Sequence, residues 1–374
     1  MSLALNFHLQ TEFGTFFRRQ TWPGCVVTTS GAILAAFHDD SPSGNIVDSI
    51  YESRDYGNTW NKISEVQGGQ IDPLNRMATM PGNIVLHFSN EVNSNTCWID
   101  RSTDGGLTWS NVHDFNPAVL NNPPYQGRTI TTYNRTSAIA YGLLGHAAVD
   151  GFDSNIARTT NSGLSWTLEP IVIAGVMNTR SRSICQGSAG LMVACSTQEG
   201  AYKSTDNGAS WSGPLSLPPP TDATQTFVNV GCWITDQIGL LAGNYNHPSG
   251  NYDSYLYRTT NAGSTWARIP SSSIENWPAT TAVIAGYELH RLTKHGAFLG
   301  WYINNTIASP PFRYSLDTGQ TWLEPGTDGY SWGSGQSTCN GAVVTAPNGK
   351  IILPITSNRG TSFYNQIWIG EWTS

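Results

Sequence analysis

The sequence predicts an all-β fold: a single β-propeller of seven four-stranded blades over residues 1–374, with six blades as the alternative count. Three observations lead there. An eight-residue pattern, S-x-D-x-G-x-T-W, recurs six times at a spacing of 45 to 57 residues, the length of one four-stranded blade. An apolar hairpin precedes each copy, and a seventh follows the last. The composition suits short strands and tight turns, with 38 Gly, 14 Trp and only 12% charged residues.

The copies stand at 53–60 (SRDYGNTW), 102–109 (STDGGLTW), 159–166 (TTNSGLSW), 204–211 (STDNGASW), 259–266 (TTNAGSTW) and 315–322 (SLDTGQTW). Each reads as a corner between strands. The Asp or Asn side chain bonds nearby backbone N–H groups and closes a turn. Glycine two residues later supplies a positive φ. The final Trp opens the next strand with a large apolar surface to bury. Asp55, Asp104, Asp206 and Asp317 are therefore read as turn formers, and all six Trp as buried packing residues.

The hairpins follow in order. The first runs through Cys25-Val26-Val27, a turn at Ser30-Gly31, and Ala32-Ile33-Leu34-Ala35. The second joins Met77–Thr79 to Ile84-Val85-Leu86 across Pro81-Gly82. The third joins Thr129–Tyr133 to Ser137–Tyr141. The fourth turns at Ala189-Gly190, the fifth near Gly239 and the sixth at His295-Gly296. The seventh joins Ala342-Val343-Val344 to Ile351-Ile352-Leu353 across Pro347-Asn348-Gly349, and has no eight-residue copy of its own. Its third strand is read at Gln366–Trp372 and its fourth at Leu3–Leu9, so the N-terminal strand closes the last blade and removes an open sheet edge.

Composition narrows the function classes. A net charge of −7 gives no support for nucleic-acid binding. No run of about 18 apolar residues is present, so no membrane span is expected. Met1–Gln10 has neither the basic start nor the apolar core of a signal peptide. The six cysteines show no C-x-x-C spacing, so no zinc site is expected, and no cofactor. Buried free thiols are the default, although Cys185 and Cys195 fall on adjacent strands. A monomer is expected.

The eight-residue turn is the Asp-box of sialidases and other propellers, and the chain resembles the sialidase-like propeller superfamily over nearly its whole length. The resemblance implies that one mouth of a central channel collects the loops leading into each innermost strand and those joining second to third strands. The first loop set is rich in arginine: Arg18 and Arg19 before the first hairpin, Arg76 before the second, Arg128 opening the third, Arg180 and Arg182 about the fourth, and Arg291 in the sixth. Arginine forks match carboxylates in a bidentate way. The second set includes His38-Asp39-Asp40, which ends an apolar strand, a setting that tunes a group for proton transfer. Phe17-Arg18-Arg19-Gln20-Thr21-Trp22-Pro23 is similar to the family's F-R-I-P opening, with Thr21 where the carboxylate-binding arginine belongs and Arg19 two residues early. Asp40 stands about where the family's acid/base aspartate does. The position of the family's nucleophilic tyrosine is occupied by Asn340, and Tyr330 lies ten residues earlier.

The expectation is a glycoside hydrolase cleaving a terminal acidic sugar, of sialic or uronic acid type, from an oligosaccharide or polysaccharide. Asp40, Asp39, His38 and Tyr330 are the catalytic candidates; Arg19, Arg76, Arg128, Arg182 and Trp22 are the substrate-binding ones. Such a substrate suggests a secreted or cell-surface setting. Two alternatives stay open: a polysaccharide lyase acting on a uronate glycan by β-elimination, and a non-catalytic glycan-binding propeller with Trp22 and Trp332 as sugar platforms.

Overall fold

The computed structural model describes residues 4–16, 23–40, 46–67, 77–91, 96–115, 127–132, 138–142, 155–170, 181–187, 190–196, 200–218, 225–246, 252–274, 284–292, 296–303, 312–328, 336–340, 342–359 and 362–373. Strand β1 (Ala4–Phe16) opens the chain but pairs with its far end. The first sheet is β2 (Gly24–Val27), β3 (Ile33–Asp40), β4 (Ile46–Ser53) and β5 (Asn61–Gln67), in that order. The second is β6 (Met77–Met80), β7 (Ile84–Glu91), β8 (Thr96–Ser102) and β9 (Ser110–Phe115). The third is β10 (Gly127–Thr132), β11 (Ala138–Gly142), β12 (Asn155–Thr159) and β13 (Thr167–Pro170). The fourth has three strands, β14 (Ser181–Gln186), β15 (Met192–Ser196) and β16 (Gly200–Ser204), extended by a bridge from Lys203 to Ser212. The fifth is β17 (Gln225–Trp233), β18 (Gly239–Asn246), β19 (Tyr252–Thr259) and β20 (Ala267–Arg268).

The sixth sheet is different. It has eight strands: β21 (Ile284–Arg291), β22 (Ala297–Ile303), β23 (Phe312–Ser315), β24 (Gln336–Asn340), β25 (Val344–Thr345), β26 (Ile351–Arg359), β27 (Ser362–Thr373) and β1. Both the sixth and the seventh expected hairpins lie in it, β21–β22 and β25–β26. They are merged through β24, which pairs with β26 on one side and meets β22 at Ile303–Thr338 on the other. The described residues thus form six hydrogen-bonded sheets, a six-bladed propeller by that count, rather than seven separate blades. The expected closure is present. β1 pairs antiparallel with β27 from Ala4–Thr373 to Phe16–Phe363, well beyond Leu9. Leu3 lies outside the described residues.

Second strands of the sheets are apolar on both faces because each sheet is packed between two others. Ile33, Leu34, Ala35, Ala36 and Phe37 of β3 are all buried. Leu34 and Ala36 pack toward the second sheet with Val85, while Ile33 and Ala35 pack toward the last with Ile352.

The eight-residue turns have the bonding their residues predict. In the first, Ser53 Oγ donates to Asp55 Oδ1 (2.9 Å) and receives the Gly57 N–H (2.7 Å). Thr59 gives its N–H to Asp55 Oδ1 (2.8 Å) and its hydroxyl to Oδ2 (2.7 Å). The Trp60 indole N–H donates to Gly57 O (2.8 Å). In the Asn versions, Asn161 and Asn261 accept the N–H of Ser165 and Thr265 and donate from their amides to those hydroxyls, each at 2.8 Å. The fourth residue of every turn is left-handed, including Tyr56, Ser162, Asn207, Ala262 and Thr318 with φ of 55° to 60°. The glycine after it is left-handed too.

Two kinds of contact then fasten the turns to the sheet before them. The first is steric. A Cβ on Gly57 would lie 2.7 Å from Ile352 of β26, on Gly163 2.5 Å from Leu86 of β7, and on Gly319 2.6 Å from Leu240 of β18. The second is a cation placed just before the preceding sheet's own turn. Arg101 donates to Ser162 O (2.7 Å), Arg158 to Asn207 O (2.7 Å), Lys203 to Ala262 O (2.8 Å) and Arg258 to Thr318 O (2.8 Å). In every case the acceptor is the left-handed fourth residue. Glu52 and Tyr314 hold the cation's place in the first and sixth turns. At the closing seam Gln10 and Lys350 reach Asn58 instead.

Not all six turn tryptophans are buried, against expectation. Trp166, Trp266 and Trp322 are; Trp60, Trp109 and Trp211 are half-exposed, because cover depends on what the neighbouring sheet lays over the ring. Cys25, Cys185, Cys195 and Cys232 are free thiols. Cys185 pairs across with Val193 and Cys195 with Ser183, so Cys185 and Cys195 sit diagonally rather than opposite.

Two outcomes follow. Trp322→Ala, at a fully buried site, is expected to cost about 3–5 kcal/mol in denaturant melts, and Trp211→Ala distinctly less; equal losses would contradict the burial difference. Asp206 supplies a pH test. Burial pushes its carboxyl up, but bonds from Ser210 and Ser204 outweigh this and bring it down to about 2. An unfolded aspartate titrates near 3.9. The stabilisation is therefore present above about pH 4 and is lost as pH falls through the folded value. Asp206→Asn, matching Asn161 and Asn261, is expected to flatten that part of the acid-unfolding curve followed by Trp fluorescence.

Candidate functional site at the central channel

The first strands of the sheets stand side by side: β2 touches β6, β6 touches β10, and contacts continue through β14, β17 and β21, while β25 touches β2. These strands pair on one edge only, so their other edge faces the axis of the ring. Side chains stitch neighbours together. Thr79 donates to Val27 O (3.1 Å) and Thr345 to Leu292 O (2.7 Å), while the Ala342 N–H reaches Pro23 O (3.1 Å).

A cavity of about 500 Å³ lies on the wall made by β2, β6, β21 and β25, with Cys25, Val27, Met77, Leu292 and Val343 among its lining residues. Arg291 and His290 line it as well, and none of the described lining residues is acidic. Burial pushes the Cys25 thiol far above its ordinary value, so it stays uncharged. Arg291 is the last residue of β21. It therefore sits beside the hairpin turn, at the opposite end of its strand from the arginines with which the sequence pattern groups it.

At the leading end of the first strands the backbone is irregular in a regular way. In β10 the pairing jumps from Gly127–Gly142 to Thr129–Tyr141, leaving Arg128 as a bulge. In β14 it jumps from Ser181–Ser196 to Ser183–Cys195, leaving Arg182. In β17 it jumps from Val228–Gly243 to Val230–Ala242, leaving Asn229. A bulge adds an unpaired residue, bends the strand and re-aims what it carries.

The catalytic candidates His38, Asp39 and Asp40 are the last three residues of β3, paired with Asp48, Val47 and Ile46. They extend the sheet rather than forming a free loop. Asn340 ends β24. Arg19, Trp22, Arg76 and Tyr330 lie outside the described residues, although Arg76 directly precedes β6. Among the described residues, no group of His, Cys, Asp and Glu is placed to hold a metal ion, and no helix is long and apolar enough to cross a membrane.

One polar constellation escaped sequence reasoning. His87 of β7 places Nε2 2.9 Å from Asp48 Oδ2 of β4 and Nδ1 3.0 Å from Ser89 Oγ. All three side chains are buried, as is Asp100, whose carboxylate accepts the Trp98 indole N–H at 2.9 Å. Burial raises the Asp100 carboxyl above its ordinary range, against the pull of His87. The half-buried Trp109 ring packs edge-on to His87. The order Asp–His–Ser invites comparison with a nucleophilic triad, but Ser89 is buried between packed sheets. The set acts as a polar bolt between the first and second sheets. Its trace in the sequence is slight, since Asp48 lies among other polar residues of β4 and only His87 and Ser89 interrupt the apolar start of β7.

No family model matches the chain. The xyloglucanase of Hypocrea jecorina (strain QM6a) is 25% identical over 247 residues, covering 59% of this chain and 29% of that protein. The chain thus spans less than a third of the length of that curated relative. Among solved structures, the GH74 xyloglucanase from Xanthomonas campestris is similar with a TM-score of 0.54 and 12% identity, over 92% of this chain and 59% of that one. YCF48 bound to D1 peptide is similar with a TM-score of 0.51 and 16% identity, over 96% of this chain and 95% of that one. The structural likenesses show a shared β-propeller fold.

The buried bolt yields a direct test. Asp48→Ala removes the partner of His87 Nε2 and is expected to destabilise by about 1.5–3 kcal/mol, read from urea midpoints. Ser89→Ala removes a weaker bond and should cost less.

Proposed function

We propose that this chain is a glycoside hydrolase acting on a glycan held at the leading end of the channel. The observation that carries the reading is the sequence likeness to the H. jecorina xyloglucanase. Fold alone would not suffice, since propellers serve many functions.

The substrate, in this reading, presents a terminal acidic sugar of sialic or uronic acid type. Support comes from the equivalent bulges that carry Arg128 and Arg182 in neighbouring first strands, with Arg76 directly before a third. Arg19 and Trp22 complete the proposed binding set. Two cationic forks with one purpose match a carboxylate. Asp40, at the end of β3, is the proton donor, with His38 and Asp39 beside it. The glycosidic C–O bond breaks as Asp40 protonates the leaving oxygen. Tyr330, as its phenolate, is the proposed nucleophile: its oxygen bonds the sugar carbon as the leaving oxygen departs, and water then displaces it, giving its hydroxyl to the sugar and its proton to Asp40.

A purified sample is tested on xyloglucan, sialosides and uronate glycans. New reducing ends carrying solvent oxygen from acidic substrates support the whole reading. Asp40→Asn is expected to lower kcat by about 10²–10⁴-fold. Cleavage of xyloglucan alone keeps the hydrolase and removes the acidic sugar. A product absorbing in the near ultraviolet, from a 4,5-unsaturated uronate, replaces hydrolysis with β-elimination. The comparable likeness to YCF48 bound to D1 peptide favours a second reading, a propeller that binds without cleaving. Binding with no product from any substrate establishes that one.

A further inference from the structure

We propose that Asn229 is a third contact to the same ligand unit as Arg128 and Arg182, so that these bulged positions form one binding arc for a carboxylated sugar. The proposal rests on the reading that a glycan binds at the leading end of the channel.

The argument is one of register. β10, β14 and β17 end at Thr132, Gln186 and Trp233, and the bulged residue stands four positions before the end in each. The strands are neighbours, with β14 in contact with both β10 and β17. Three unpaired residues therefore lie at one height along the channel, on successive strands. A bulge is also found in β21, where Ala285 is skipped, but it lies six positions before Arg291 and presents no polar group. The arc ends with the fifth sheet.

The β17 bulge is locked in place by the core on both sides of it. In a regular strand, residues two apart share a face. Val228 and Val230 do not. Val228 packs with Val193, Leu241 and Tyr255 between the fourth and fifth sheets. Val230 packs with Leu240, Leu256 and Leu289 between the fifth and sixth. Both are buried, so straightening the strand would pull one valine from its cluster. The core thereby holds the backbone at Asn229 in an irregular state that an uncharged amide does not itself require.

The chemistry divides the ligand. Arg128 and Arg182 suit a carboxylate, bonded in bidentate fashion. The amide of Asn229 both donates and accepts, which suits a neighbouring ring hydroxyl or acetamido group. An acidic pyranose offers the two side by side.

Calorimetric titration tests this with 3′-sialyllactose and glucuronate as acidic probes and a xyloglucan oligosaccharide as the neutral one. The proteins are wild type, Asn229→Ala, Asn229→Ser, Asn229→Asp and Arg182→Gln. Asn229→Ala and Asn229→Ser are expected to weaken an acidic probe by about 3- to 10-fold, the range of one hydrogen bond. Asn229→Asp should weaken it further by like-charge repulsion while affecting the neutral probe less, a difference that a purely structural role would not produce. The double change with Arg182→Gln should fall short of the sum of the two. Unchanged affinity in all Asn229 variants, with loss in Arg182→Gln, overturns the role of Asn229 and leaves the glycan site standing. No binding of any probe by wild type overturns both. Equal losses for acidic and neutral probes in Asn229→Asp overturn the shared-ligand arc.

Discussion

The ring depends on one recurring joint, the docking of each eight-residue turn on the sheet before it. Two left-handed residues in succession expose a carbonyl and a bare glycine on the same side. In three turns, at Gly57, Gly163 and Gly319, the glycine admits a leucine or isoleucine from the neighbouring second strand at a distance no Cβ permits. In four turns the carbonyl takes an Arg or Lys from the preceding sheet. The Ser and Asp side chains, which look like the heart of the turn, are turned inward to hold this shape. Their chemistry is spent on geometry, and the geometry on joining sheets.

That division explains what could be read in advance. The turn is encoded within eight adjacent residues, so its bonds, its glycine and its blade spacing were legible from local pattern alone. The cation before the turn was not, because its acceptor lies about sixty residues on, in another sheet. Tryptophan burial was half legible for the same reason. Trp322 is covered by the Ser273–Ile274 segment, which bonds to its backbone, whereas nothing in the residues around Trp211 announces its exposure. Sheet count turned on β24, a short polar strand whose pairing with β22 and β26 merges two hairpins and has no sequence signature.

The site divides along similar lines. Asp40 was legible as the end of an apolar run, and it does end β3. The bolt of Asp48, His87 and Ser89 was not, since its members come from strands of two sheets and become a group only when those sheets pack. Asp48 is also the cross-strand partner of His38. The strand paired with the one that carries the proposed proton donor is thus anchored by a fully buried polar contact. A rigid support of this kind is what positioned proton transfer demands. Bulges are a matter of pairing, and one sequence taken alone does not display them.

The cation joint has a further consequence, for how such a ring changes size over evolutionary time. From the second sheet to the sixth, each donor and each acceptor belong to standard parts, a basic residue before one turn and a left-handed carbonyl in the next. Any of these units presents the same socket behind and the same plug in front, so duplication or loss of one leaves matching faces at the break. The two junctions of the first sheet differ: Glu52 stands in the cation's place toward the second sheet, and Gln10, Lys350 and Asn58 meet at the closing seam. The ring is therefore a run of four interchangeable couplings, with the two junctions that flank the first sheet fitted by other residues.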